Sequence, residues 1–284
     1  MCTSLSLPTV GGHRLFGRTL DLDAHFGERV VLTPGGSKLE RSGRPPVPLD
    51  YPLLGMAAVE EDYPLYAEAM NGAGLCMAGL RFAESARYAD CIEAGKRGIA
   101  PWELIPYLLG RCATVEEARM ALGKIQLVSI DFSRRIPVAP LHWHIADADA
   151  AHGELVVEST AEGLRVYDNP FGVLTNEPPF PEQTAHLPLT EIPGGYDSAA
   201  RFARGAILRR RVADWIAGEG KDTGDSGDLF FRILGAVAPM AGVVMTPQGR
   251  AHRTLYTCCM DGAAGIYRYF TEEDSAIRSV KIPK

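Results

Sequence analysis

Short runs that alternate polar and apolar residues dominate the first eighty positions. Thr3 to Leu7 alternates in this way. His13 to Leu20, Arg29 to Thr33, Leu54 to Glu60, Leu65 to Met70 and Leu75 to Phe82 have strand length and are bounded by Gly, Pro or Asp. A period of two turns successive side chains to opposite faces, so each run predicts a strand. Between them, residues 33–52 (TPGGSKLERSGRPPVPLDYP) are rich in Gly and Pro and predict a loop.

Helical signals occupy the middle. Pro101 suits the first turn of a helix running to about Leu109. Thr114 with Glu117 three positions later forms a capping box, and Gly123 closes that helix. A second strand block follows at Leu141 to Ala148, Glu154 to Thr160, Leu164 to Tyr167 and Val173 to Thr175. Asp197 or Ser198 caps a helix to about Ile216, GEGKDTGDSGD reads as a loop, and Asp228 caps a helix through about Val237. Arg253 to Met260, Gly265 to Phe270 and Ala276 to Ile282 predict the last strands. Strand and helix blocks that do not alternate strictly predict an α+β fold with two antiparallel sheets and helices outside them. No repeat and no linker divides the chain, so residues 1–284 are expected to form one domain.

With 284 residues, 46% of them hydrophobic, the chain can bury a full core without disulfides or metals. Lys plus Arg is 29 and Asp plus Glu is 35, so the net charge is 29 − 35 = −6. That balance argues against nucleic acid and anionic membrane as general partners. The start MCTSLSLPTV has no basic region followed by a long apolar run, and no stretch of 18 apolar residues occurs. A cytoplasmic location is therefore expected.

None of the six cysteines forms a CxxC pair, and five read as small buried hydrophobes. GDSG at Gly224 to Gly227 resembles a protease nucleophile loop but sits in a polar Gly/Asp tract and reads as a loop. His142 and His144 fall on one face of a strand, yet no third ligand has a recognisable spacing. They read as a core or surface pair.

Cys2 stands apart. Loss of Met1 would leave a thiol and a free α-amine on one residue, a nucleophile with its own base, since an α-amine has a pKa near 8. Downstream, GRTLDLD runs from Gly17 to Asp23. On a neighbouring strand Arg18 would approach the sulfur and lower its pKa, and Asp21 would hold the amine. An ordinary surface ion pair is the alternative for these two.

MCTSL…FGRTLDLD resembles the opening of the choloylglycine hydrolase family, the bile salt hydrolases and penicillin V acylases among the N-terminal-nucleophile (Ntn) hydrolases. The resemblance continues in DYPLYAEAMNGAGLCMAGLRF, LHWHIAD, VYDNPFGVLTNEPPF, SAARFARGAILR and LYTCCM…GIYRYF. It implies a four-layered αββα sandwich with two antiparallel sheets. It also implies roles: Cys2 as nucleophile, Arg18 and Asp21 as the residues that tune thiol and amine, Asn176 as a side-chain oxyanion donor, and Arg201 as a second active-site arginine. The second oxyanion donor would be the backbone N–H of residue 81. Arg81 departs from the Asn or Tyr typical of the family there. No metal and no cofactor is implied.

The implied activity is hydrolysis of a linear amide, first of conjugated bile salts. Penicillin V or N-acyl homoserine lactone acylase activity, or a catalytically silent binding protein, are the alternatives. Residues 177–200, between Asn176 and Arg201, are fewer than the assembly loop of the family's tetramers. A homo-oligomer would be smaller than a tetramer or held by other contacts.

Overall fold

A computed structural model describes the chain except residues 42, 186, 188–190, 220–225 and 284. In chain order the strands are β1 (Cys2–Pro8), β2 (Arg14–Leu22), β3 (Arg29–Thr33), β4 (Lys38–Arg41), β5 (Arg44–Pro48), β6 (Leu53–Glu60), β7 (Tyr63–Asn71), β8 (Cys76–Arg81) and β9 (Arg97–Ile99). A 3₁₀ turn at Pro101–Glu103 leads into α1 (Leu104–Leu109), followed by α2 (Val115–Leu122) and β10 (Ile125–Leu127). Then come β11 (Leu141–Ala146), β12 (Glu154–Thr160), β13 (Gly163–Asp168) and β14 (Val173–Leu174). Helices α3 (Phe180–Ala185), α4 (Ser198–Glu219) and α5 (Ser226–Val237) precede β15 (Arg253–Asp261), β16 (Ile266–Thr271) and β17 (Arg278–Lys281).

Two antiparallel sheets carry the fold. One has the order β14-β1-β2-β15-β16-β17, the other β13-β12-β11-β8-β7-β6-β3. Helices α4 and α5 pack on the outer face of the first sheet, and α1 packs on the second through β7 and β8. The layers are thus α, β, β, α, the arrangement expected from the resemblance. Alternation along β8 makes the division visible. Cys76, Ala78 and Leu80 join the core shared with the first sheet, while Met77 joins the core under α1. Each large apolar side chain taken fully out of water there contributes about 1.5–3 kcal/mol.

The first sheet needs Gly17, because a Cβ there would run into the Cys258 carbonyl oxygen. The capping prediction for α2 holds, since Thr114 Oγ1 accepts from Glu117 N at 3.2 Å. Glu117 reaches back to Ala113 N rather than to the cap residue itself. Asp197, not Ser198, caps α4, accepting from Ala200 N at 2.9 Å.

Three expectations are corrected. The stretch 33–52 is not all loop: β4 and β5 pair as a hairpin, and a two-stranded ribbon tolerates Pro45 and Pro46 because few ladder donors are needed. Helix α5 begins at Ser226, two residues before Asp228, so the end of GDSG is helical. The rest of that polar tract, residues 220–225, lies outside the described residues. Cys91 is exposed, whereas Cys76, Cys112, Cys258 and Cys259 are buried as expected, and all six thiols are free.

His142 and His144 are core residues facing the first sheet. His142 pairs with Glu158 at 3.1 Å and the Thr175 carbonyl at 2.8 Å. His144 meets Ser4 Oγ at 2.9 Å and Glu154 at 3.0 Å. Glu154 also holds Ser6 Oγ at 2.7 Å and Arg209 Nη2 of α4 at 3.1 Å, and Arg14 Nε lies 3.2 Å away. Among the described residues no helix is long and apolar enough to cross a membrane.

Candidate active site

Cys2 is the first residue of β1 and is buried. The β1–β2 ladder pairs Cys2 with Leu20 and Ser4 with Arg18. Partners in an antiparallel ladder point to the same face, so Cys2 and Arg18 are diagonal neighbours on the face toward the second sheet. Asp21 and Thr3 fall on the opposite face, toward α4. The two faces of one strand pair thus separate the thiol's cationic neighbour from the carboxylate.

Arg18 is fully buried. Its Nη1 donates to the Gly79 carbonyl at 2.6 Å and its Nε to the Thr19 carbonyl at 3.2 Å. Burial alone would lower its pKa, but Cys2, Tyr256, Glu68 and Cys258 around it push the net shift upward. The guanidinium is a permanent cation beside the sulfur.

The Asp21 carboxylate accepts from Thr254 Oγ1 at 2.7 Å and Thr19 Oγ1 at 3.1 Å. The main chain of Asp21 pairs with Met1: Asp21 N donates to the Met1 carbonyl at 2.9 Å, and the Met1 amine donates to the Asp21 carbonyl. Burial, opposed by Cys2 and Asp21, pushes the pKa of that amine down.

Strand β14 brings in Asn176. It pairs Leu174 with Ser4 and Val173 with Leu5. Continuing that register places Asn176 opposite Cys2. Asn176 Oδ1 accepts from Cys2 N at 3.0 Å and from Arg201 Nη2 at 2.8 Å, and Nδ2 donates to the Arg81 carbonyl at 2.8 Å. Arg201, on α4 and buried, also donates from Nη1 to the Cys2 carbonyl at 2.6 Å and Thr3 Oγ1 at 2.7 Å. Burial lowers its pKa despite the nearby Asp21 and Cys2.

The Arg81 backbone faces the same place. Leu141 pairs with Arg81, and Phe82 N donates to the Pro140 carbonyl at 2.9 Å. Hydrogen-bonded and non-bonded pairs alternate, so the N–H and C=O of Arg81 both point away from β11. The C=O takes Asn176 Nδ2, and the N–H of the same residue is aimed to that side. The β7–β8 ladder stops at Ala78, which leaves this edge open. The Arg81 side chain is exposed and makes no ion pair among the described residues, so it does not pair with Glu84. Glu84 N instead donates to Glu177 Oε1.

Cys2, Arg18 and Arg81 border one cavity of about 400 Å³, whose other walls include Leu20, Leu22, Phe26, Tyr66 and Leu141. Its side chains are apolar but for the two guanidiniums, the thiol and the Tyr66 hydroxyl, and its lining holds no carboxylate. All six residues singled out from the sequence therefore meet around Cys2. The residues that hold Asn176 were missed. Ser198 Oγ accepts from Asn176 N at 2.9 Å, Gln183 donates to the Asn176 carbonyl, and His142 takes the Thr175 carbonyl. The sequence marked Ser198 only as a candidate helix cap and His142 only as half of a histidine pair.

Comparison with known proteins agrees with the geometry. The family model for linear amide C–N hydrolases, choloylglycine hydrolase family, matches residues 2–189 and 184–284. A bile salt hydrolase/transferase of Lactiplantibacillus plantarum is 35% identical over 99% of this chain and 92% of its own. A variant of the conjugated bile acid hydrolase of Clostridium perfringens superposes with a TM-score of 0.91 at 32% identity, covering 99% of this chain and 92% of that one. A penicillin V acylase of Agrobacterium tumefaciens, TM-score 0.79 at 20% identity over 99% of this chain and 86% of its own, shares the fold. The chain belongs to the choloylglycine hydrolase family of linear amide C–N hydrolases.

Proposed function

We propose that this protein hydrolyses conjugated bile salts to a free bile acid and glycine or taurine, with Cys2 as nucleophile after loss of Met1. The observation that supports the reading is that Cys2 and Arg81 line one apolar cavity and that the Asn176 amide joins them, accepting from Cys2 N and donating to the Arg81 carbonyl. Its volume of about 400 Å³ and Leu, Phe and Tyr walls suit a rigid apolar acyl group. Residues 1–284 act as one catalytic domain, supported by a core cluster drawn from both sheets.

While Met1 is attached, the Cys2 nitrogen is an amide that donates to Asn176 Oδ1 and cannot accept a proton. Its removal yields an amine that takes the thiol proton. The thiolate, favoured by Arg18, adds to the scissile carbonyl carbon. The oxyanion receives the second Nδ2 hydrogen of Asn176 and the Arg81 N–H. The amine passes its proton to the leaving nitrogen, the C–N bond breaks and a thioester remains. Water then adds, its proton returning through the amine, and the C–S bond breaks to release the acid. Asp21, fixed by Thr19 and Thr254, orients the amine, and Arg201 orients Asn176.

The test is a panel of glycocholate, taurocholate, penicillin V and a long-chain acyl homoserine lactone, with the intact mass of the protein measured alongside. Expected are release of free bile acid by a protein lacking Met1, no turnover by Cys2→Ala, and severe impairment of Cys2→Ser, whose hydroxyl is far less acidic. Hydrolysis of glycocholate by Cys2→Ala at the parent rate refutes the mechanism. Turnover of penicillin V or the lactone alone refutes the substrate.

A further inference from the structure

Glu68 of β7 is a fully buried carboxylate that the mechanism above does not use. Its Oε2 accepts from the Tyr256 hydroxyl at 2.6 Å and its Oε1 from the Tyr267 hydroxyl at 2.7 Å. These tyrosines come from β15 and β16 of the opposite sheet. Arg18 Nη1 lies 3.8 Å from Oε2, beyond hydrogen-bond distance, because that nitrogen is spent on the Gly79 carbonyl. Arg18 Nη2 is buried and has no hydrogen-bond partner among the described residues. The guanidinium thus stands between two groups, Glu68 behind it and the Cys2 sulfur in the cavity before it.

A buried guanidinium needs a counter-charge, and a carboxylate in bidentate contact would neutralise it. Here the two tyrosines hold Glu68 back from that contact. The cation is only partly offset, and the remainder acts on the next group able to become an anion. We propose that Glu68 is a positioning residue that sets the acidity of the Cys2 thiol, acting through Arg18 from behind the cavity wall. This rests on the reading of Cys2 as the nucleophile.

The charged and titratable groups facing Glu68 are Arg18 on β2, Tyr256 and Cys258 on β15, and Tyr267 on β16. Those facing Arg18 add Cys2. Burial pushes the Glu68 pKa up, opposed by Arg18 and the tyrosine donors. Burial and Glu68 push both tyrosines well up, so they remain hydroxyl donors. With Glu68 ionised, removing its charge while keeping its shape leaves Arg18 less compensated, and the Cys2 thiolate becomes easier to form.

The experiment is alkylation of Cys2 by iodoacetamide across pH, read on the N-terminal peptide by mass spectrometry so that exposed Cys91 does not interfere. The variants are Glu68→Gln, Glu68→Asp and Tyr256→Phe. In Glu68→Gln the midpoint should fall by about one pH unit, a tenfold gain in thiolate below it, and the acid limb of kcat/KM should follow. Glu68→Asp, which restores the charge, should return toward the parent midpoint. An unchanged or raised midpoint in a folded Glu68→Gln protein overturns the proposal, whatever happens to its melting temperature. If Glu68→Gln does not fold, Tyr256→Phe decides. It frees Oε2 to close on Arg18, which offsets the guanidinium further and should raise the midpoint, and an unmoved or lowered midpoint overturns the proposal. Alkylation reports on Cys2 even if the hydrolytic reading fails, so the two failures are distinct.

Discussion

Arg201 donates to Asn176 Oδ1 at 2.8 Å, and this bond decides which end of the Asn176 amide faces the cavity. A guanidinium has no acceptor, so it can meet only the oxygen of the amide. Nδ2 is thereby turned to the Arg81 carbonyl and the space beside Cys2. Arg201→Met should cost about 10²–10³ in kcat, as loss of one oxyanion donor does. Asn176→Ala should cost about the same, and the double variant less than the two losses combined, since both variants lose the oxyanion donor. Steady-state kinetics on glycocholate, with melting curves to verify folding, checks this. Additive losses would assign Arg201 a separate role.

Asp21→Asn keeps the acceptor for Thr254 but changes the charge beside the N-terminal amine. Turnover should fall more than KM rises, because the amine moves a proton only as the transition state forms. A pure KM effect would place Asp21 in substrate recognition.

Arg81 presents an exposed guanidinium, without an ion pair among the described residues, at a cavity whose lining holds no carboxylate. Its forked donors match a carboxylate or sulfonate on the leaving amine. Arg81→Gln should lower kcat/KM on glycocholate by about 1.5–3 kcal/mol, the range for a hydrogen bond to a charged group, and change it little on the neutral cholyl glycinamide. Equal losses on both substrates would mean that Arg81 supports the site's shape instead.

Glu154 sets a pH limit on stability. Burial alone would raise its pKa, but the His144 hydrogen bond and the charges of Arg209 and Arg14 bring it from 4.5 to about 2. A depressed carboxylate contributes stability above its unfolded value and loses it as pH falls through its folded value. The contribution is therefore complete above about 4.5 and disappears toward about 2. Glu154→Gln should destabilise the protein by roughly 3 kcal/mol at neutral pH. Urea titrations should show the gap to the parent protein narrowing below pH 4 or so, and a gap independent of pH would contradict the assignment.

Strands were legible from their short length and the Gly, Pro or Asp at their ends, even where both faces are buried, as in β12. Arg29–Thr33 matches β3 residue for residue, and most other strands agree within two. The β4–β5 hairpin was hidden because Gly and Pro, which mark loops, are harmless in an isolated ribbon. The three-residue parallel pair of β9 and β10 has no periodicity to read. At the site, Cys2, Arg18 and Asp21 are close in sequence, and β-pairing alone brings them together. Asn176, Arg81 and Arg201 follow from the resemblance, since what brings them to Cys2 is a set of contacts spanning 95, 174 and 199 residues. Glu68 was not legible: an acidic residue in a strand looks solvent-facing until the tyrosines across the sheets are seen.

Strand β14 has only two residues, yet it fixes the phase between the Asn176 amide and the start of β1. One residue inserted between Leu174 and Asn176 would turn the amide to the wrong side of the ladder. The chain beyond is anchored again by Glu177 on Ser85 and by Gln183 on the Asn176 and Pro178 carbonyls. Grafts that aim to change the substrate can therefore be cut between Gln183 and Asp197, where added length leaves the spacing to the thiol unaltered. The same graft placed a few residues earlier would uncouple recognition from chemistry.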